Sequence, residues 1–273
     1  MVQFHSNNKM KTMLTGIIVL GVLSLVGVVV AMTYFVNTNL ENHPLNKFQK
    51  PRAAVLDMLY AKYPNKYFDD TIEKNLQDVG YQVDMYKTEN ITVDLYEKLP
   101  TMNYKFIVFR THGLHKGTLE ESSSIFTGEV YSKDKHFPEQ IARQVKKGVP
   151  YLRNEILANG GYSAFVNETY FVIGSRFIDH AMVGTFPNST IIIGGCDSMS
   201  NNLLAKSFVS RGASAVVGWN NLVSLSDNDE GILMVIDEII LHKKSAENAT
   251  KAVMINFTSN PMFPAKLEYY AKV

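Results

Sequence analysis

The sequence predicts an α/β domain, a mostly parallel sheet wrapped by helices in three layers, preceded by one transmembrane helix. Three observations carry that expectation. Apolar runs of strand length alternate with amphipathic helical segments, the pattern that folds as a parallel sheet with crossover helices. Thr190 to Gly194, T-I-I-I-G, is an unbroken β-branched run of the kind a central strand buried on both faces requires. Met13 to Val36 is about 24 residues without a charge, enough to cross a hydrocarbon core of ~30 Å at about 1.5 Å per residue.

The 273 residues are 46% hydrophobic and 19% charged, a globular balance that fits one large domain behind a short amino-terminal segment. With 27 basic residues against 26 acidic ones, no electrostatic footprint for nucleic acid exists, and none is expected as a partner. Residues 1–12 read as a cytoplasmic tail, 13–36 as the membrane helix, 37–52 as a stalk and 53–273 as the domain. A cleaved signal peptide is the competing reading, but its apolar region is usually ~7–15 residues, and no small-x-small site follows this run. Lys9 and Lys11 precede the span and no Lys or Arg lies between Asn37 and Pro44. The expected topology is therefore single-pass in the cell membrane, amino terminus in, domain extracytoplasmic. Sequons at Asn90, Asn167, Asn188, Asn248 and Asn256 agree with an exported glycoprotein. A single cysteine leaves no disulfide within the chain.

Asn37 to Lys50 is polar and aperiodic, as a stalk is. Ala53 to Leu59 is the first strand. Tyr67 to Val79 follows as a helix, with Phe68, Ile72, Leu76 and Val79 on one face and Gly80 in the place of a C′ glycine. Tyr81 to Tyr86 alternates as a strand, Thr92 to Leu99 is a short helix capped by Asn90 or Thr92, and Lys105 to Thr111 is the third strand. Leu114 to Pro187 is expected to be an insertion beside the sheet. It would hold a hairpin of Ser124–Val130 with Tyr131–Lys135, a helix at Glu139–Lys147 and a strand at Tyr170–Ile173. The main fold resumes with the strand at Thr190, a helix from about Asn202 to Ser210 stopped at Arg211-Gly212, and a strand at Ala213–Gly218 ending at Trp219. A polar loop over Asn220–Asp229, helices at Glu230–His242 and Ala246–Phe257, and a last strand at Leu267–Tyr270 complete it.

Two residues with chemistry fall just past strand ends: His112 after the third strand, and Cys196 after T-I-I-I-G-G. Parallel strands bring their carboxyl ends to one edge, so the fold delivers both residues there. A thiol with an ordinary pKa near ~8.5 needs an imidazole or a helix N-terminus to activate it. His112 offers the first and the helix after Cys196 the second. Gly194 and Gly195 permit a sharp turn, and the amides of Gly113 and Cys196 are candidate oxyanion donors. A lone cysteine is also commonly a small buried hydrophobe; its coincidence with the His-Gly pair singles this one out. His115 and His180 read as surface or supporting histidines, and Asp197 as a turn or N-cap residue. Asp227, Asp229 and Glu230 either form a solvated acidic loop or line a substrate pocket with Trp219, in which case a basic side chain is favoured. No metal-ligand spacing is present, so neither metal nor cofactor is expected.

These residues resemble the caspase-like cysteine peptidases, the group of caspases, metacaspases, gingipains, legumains, separases and CHAT domains. F-R-T-H-G at Phe109 to Gly113 is similar to the family's histidine motif, and I-I-I-G-G-C-D-S at Ile191 to Ser198 to its cysteine motif. L-L-A-K-S-F-V-S-R-G-A-S-A-V-V-G-W, Leu203 to Trp219, resembles the unit after the nucleophile in gingipain and CHAT-like members. Y-P-N at Tyr63 to Asn65 and F-T-G-E at Phe126 to Glu129 are similar to membrane-anchored relatives. The resemblance covers roughly Ala53 to Phe257 and is loose in the insertion. It implies a flavodoxin-like caspase fold and a Cys-His dyad that cleaves protein or peptide substrates through an acyl-enzyme. Cys196 would be the nucleophile, His112 the base and then acid, and Gly113 an amide donor. The caspase signature Q-A-C-x-G is missing, so aspartate specificity is not implied. The expectation is thus a membrane-anchored extracytoplasmic cysteine endopeptidase. A transamidase or ligase, in which an amine takes the acyl group, and a silent ectodomain for binding or sensing are the other readings.

Overall fold

The structure is a computed structural model and describes residues 27–28, 30–32, 50–115, 123–141, 152–156 and 169–272. The chain divides into two compact units, Met1–Gln49 and Lys50–Val273. In the first, residues 27–28 and 30–32 are helical. The expected transmembrane helix over 13–36 is corrected here, because among the described residues no helix is long and apolar enough to cross a membrane. The rest of that span, with residues 1–12 and 37–49, lies outside the described residues. A charge-free run establishes apolarity alone; crossing needs one continuous helix of ~20 residues. The single-pass location, the membrane as a partner and the outward-facing domain all depended on that helix and do not stand without it.

In chain order the second unit contains β1 (Arg52–Asp57), α1 (Lys66–Asp78), β2 (Gln82–Lys87), α2 (Val93–Lys98), β3 (Tyr104–Arg110), β4 (Gly113–Leu114), β5 (Ser124–Val130), α3 (Phe137–Ile141), β6 (Leu152–Ile156) and β7 (Thr169–Gly174). It continues with α4 (Ser175–His180), β8 (Thr190–Gly194), α5 (Leu203–Ser210), β9 (Ala215–Trp219), α6 (Leu225–Ile240), α7 (Ala246–Asn256) and β10 (Leu267–Ala271). The unit is α/β with a mostly parallel central sheet, in the order β10-β9-β8-β3-β1-β2. Every pair in it is parallel except β10 with β9.

Strand periodicity explains how both faces are covered. Ala54, Leu56, Ile107, Phe109, Ile191 and Ile193 pack on one face with residues of α2, α4 and α5. Ala53, Val55, Phe106, Val108, Ile192 and Val217 pack on the other with α1 and α6. Successive side chains point to opposite faces, so a strand covered on both sides needs isoleucine at every position and not at every second one. Helices on both faces are compatible with three layers. Burying each of those isoleucines contributes about 1.5–3 kcal/mol. The helix ends follow local chemistry: the Asn65 side chain accepts from Phe68 N at 3.1 Å to cap α1, and Gly80 leaves the helix at φ +97°. Of the two candidate caps for α2, Thr92 serves, accepting from Leu95 N at 3.1 Å.

The intervening region differs from expectation. It forms a second sheet, β4-β5-β7-β6, with antiparallel pairs. β5 pairs with β7, and Tyr131–Lys135 is not its hairpin partner: residues 133–136 turn, and Tyr131 N donates to Thr169 O at 2.7 Å. Ser132 to Lys135 lacks the alternation a strand needs. The helix expected at 139–147 begins at Phe137 as α3, and residues 142–147 lie outside the described residues. A second difference bears on the site. Asn220–Asp229 is not one polar loop, since α6 starts at Leu225, capped by Ser224 accepting from Asp227 N at 3.1 Å. Its buried stripe includes Asn228 and Asp229, whose polarity hides the helical period in the sequence.

Candidate active site

Strands β3 and β8 are neighbours with Arg110 opposite Gly194, and the ladder extends by Thr111 N donating to Gly194 O at 2.8 Å. His112 and Cys196 each lie two residues past that pair. They leave the sheet side by side at its carboxyl edge, where adjacent strands are ~4.8 Å apart. The two turns interlock backbone against backbone. A Cβ on Gly113 would stand 1.9 Å from the Cys196 carbonyl oxygen, and one on Gly195 would stand 3.0 Å from Thr111 O. Close approach, not turn geometry, is why Gly113 has no side chain. The His112 ring meets Tyr63 and Phe126 edge-on, at 6.2 and 6.0 Å between centroids.

Beyond Cys196 the chain turns at Asp197 (φ +56°) and is pinned to the end of β9. Asp197 N donates to Asn221 O at 3.0 Å, and Ser198 Oγ accepts from Trp219 N at 2.9 Å while donating to Ile193 O. The Cys196 Sγ faces Val223, accepting from its N–H and donating to its carbonyl, both at 3.5 Å. His112 and Cys196 line one cavity of about 40 Å³ with Thr111, Gly195 and Asn228. Leu59, Tyr63, Val223 and Leu225 supply its apolar walls.

Beneath this cavity lies a buried ion cluster. Arg110 is 1% exposed; its Nε and Nη2 donate to the two oxygens of Asp229 at 2.7 and 2.8 Å, and its Nη1 to Asp57 at 2.9 Å. Nη2 also reaches Tyr63 O at 3.0 Å, and Asn65 Nδ2 donates to Asp229 at 2.8 Å. Burial pushes Asp57 up to about 6 against the pull of Arg110. Burial, with the Arg110 charge nearby, lowers His112 to about 4, so the imidazole is neutral and able to accept a proton near pH 7. Burial also raises the Cys196 thiol, the charge of Asp197 adding to it and the Val223 amide opposing. The expected help from a helix N-terminus is missing, because α5 begins only at Leu203. The resting site therefore holds a neutral thiol and a neutral imidazole.

These shifts have opposite consequences for stability. His112 is depressed from 6.5 to about 4, so the unfolded chain holds the extra proton between those values and stability is lost as pH falls through them. Asp57 is raised from 3.8 to about 6, so the folded chain holds the proton and stability is lost as pH rises through that window. His112→Asn removes only the first effect. Relative to wild type, the variant is expected to gain on the order of 3 kcal/mol between pH 6.5 and 4, measured by urea unfolding at each pH. A difference that does not vary with pH would mean the ring is not held neutral.

The remaining candidates fall outside the cavity. Asp229 is committed to Arg110 and Asn65, Asp227 accepts from Asn260 N at 2.7 Å, and Glu230 is exposed. Trp219 is fully buried, 5.6 Å from the Phe257 ring and against Gly231. Asp197 is a turn residue whose carboxylate accepts from Ser200 Oγ; His115 is half-buried near it, and His180 is exposed at the end of α4. Sequence reasoning passed over Asn228, Arg110 and Asp57. Arg110 and Asp57 carried a signal, since charges ending otherwise apolar strands are buried only when paired. Among the described residues no group of three or more His, Cys, Asp or Glu is placed to hold a metal ion. No protein-family model matches this chain, and no curated protein matches it.

Proposed function

We propose that the chain is a cysteine endopeptidase of the caspase-like kind, with Cys196 as nucleophile and His112 as its base. The observation that carries this reading is the register: both residues stand two positions past the Arg110–Gly194 pair of adjacent parallel strands and line one cavity. The neutral imidazole is free to accept the thiol proton, and burial holds that proton on the sulfur in the resting site. As Sγ bonds to the substrate carbonyl carbon, its proton passes to a ring nitrogen of His112 and the carbonyl π electrons move to oxygen. Backbone amides at Gly113 and Cys196 would donate to that oxygen. Collapse breaks the C–N bond, and the imidazolium returns the proton to the leaving amine. Water, deprotonated by the same imidazole, then hydrolyses the thioester.

A second reading has its own support. The Cys196 sulfur is already engaged by both backbone groups of Val223, as a structural thiol in a silent binding domain would be. Digestion of a mixed peptide library by the full chain, with product ends read by mass spectrometry, separates the two. New termini from wild type and none from Cys196→Ala are expected. Indistinguishable digests overturn the peptidase reading in favour of the silent domain. A small amine added to the same digest reveals any acyl transfer as amide products.

A further inference from the structure

One polar group in the cavity has no task in the dyad. Asn228, in the first turn of α6, is 3% exposed and lines the cavity beside Cys196 and His112. Its carboxamide has a defined orientation: Nδ2 lies 3.2 Å from Oδ1 of Asp229. An ionised carboxylate only accepts, so the NH₂ end must face Asp229 and the carbonyl oxygen is turned away from it. That Oδ1 is buried and has no hydrogen-bond partner among the described residues. A buried acceptor left unpaired costs ~1–3 kcal/mol, so such a group in a native structure calls for an explanation, of which a role in binding or catalysis is one. Asp229 is itself held by Arg110 and Asn65, so the acceptor is set in place before any ligand arrives.

The surroundings limit what could donate to it. Among the described residues, no Asp, Glu, Lys or Arg side chain lines the cavity. The carboxylates behind Asn228 are both bound to Arg110, which leaves neither to receive a basic side chain. A volume of about 40 Å³ has room for the head of a side chain. We propose that this cavity receives the side chain of the residue whose carbonyl Cys196 attacks, and that Asn228 selects there a small uncharged group bearing an N–H or O–H donor. Amide and hydroxyl side chains fit that description. The proposal rests on the peptidase reading, and it departs from the basic preference that the acidic residues of this segment suggest.

Peptidyl electrophiles that differ only in the side chain next to the reactive carbon test it, with the Cys196 adduct of the full chain followed by intact mass. Asn against Leu and Thr against Val are near-isosteric pairs that add or remove the donor, and Lys probes charge. Wild type is expected to react about tenfold or more faster with the donor-bearing member of each pair, and more slowly with Lys than with Asn. Asn228→Leu is expected to bring the Asn/Leu ratio down to about one; the wild-type comparison stands by itself should that variant misfold. Adducts formed without donor preference, or fastest with Lys, overturn the subsite while leaving the peptidase reading intact. No adduct with any probe overturns both.

Discussion

Arg110→Met is expected to destabilise the domain by about 3–5 kcal/mol, the cost of leaving buried charges without their partner. Asp57 is fully buried and Asp229 is 6% exposed, and Arg110 is the cation bound to both. The guanidinium also joins three parts of the fold: the end of β1, the end of β3 and the first turn of α6, with the β1–α1 loop added through Tyr63 O. Urea unfolding of the variant measures the loss. Replacing Asp57 and Asp229 by leucine in the same chain is expected to recover much of it, because a buried triad can be exchanged for apolar packing at little net cost. A loss under ~1 kcal/mol in the single variant would show that the triad is hydrated in solution.

Gly113→Ala carries the second large effect, on stability and reactivity together. Its new methyl would overlap a backbone oxygen of Cys196, which has no rotamer to escape into, so the turn after β8 must move. Overpacking of this kind costs ~1–3 kcal/mol. A displacement of about 1 Å at the Cys196 thiol is enough for a loss of ~10²-fold in the rate of its reaction with a peptidyl electrophile. Gly80→Ala provides the contrast. Nothing lies within 4 Å of its added Cβ, and its φ of +97° strains the variant without touching the site. It is expected to lose stability while Cys196 in the folded protein reacts at the wild-type rate. Equal reactivity in both variants would mean the contact between Gly113 and Cys196 does not position the thiol.

Elements whose signal is local were legible in the chain. The isoleucines of β8, the apolar face of α1 and the glycine that ends it were read close to where they stand, because strand and helix periods depend only on neighbours a few residues away. The start of α6 was not legible. Asn228 and Asp229 occupy inward positions that periodicity assigns to apolar residues, and their partners, Arg110 and Asn65, are distant in sequence. The second sheet was missed for a related reason: β5 is paired with β7, far along the chain, and not with the segment that follows it. The apolar run at 13–36 shows the reverse case, in which composition suggested more than the described residues support.

By itself the sequence determined that His112 and Cys196 follow parallel strands with glycine beside each, and hence that both belong to one edge of the sheet. Tertiary structure decided the rest. It set the two strands adjacent and in register, tied Asp229 to Arg110, sank Trp219 into the core and left Asn228 in the cavity wall. It also set the protonation of the two side chains, lowering the His112 imidazole and raising the Cys196 thiol through burial. Strand direction is encoded within a few residues, whereas desolvation and charge pairing are sums over groups that only the folded chain brings together.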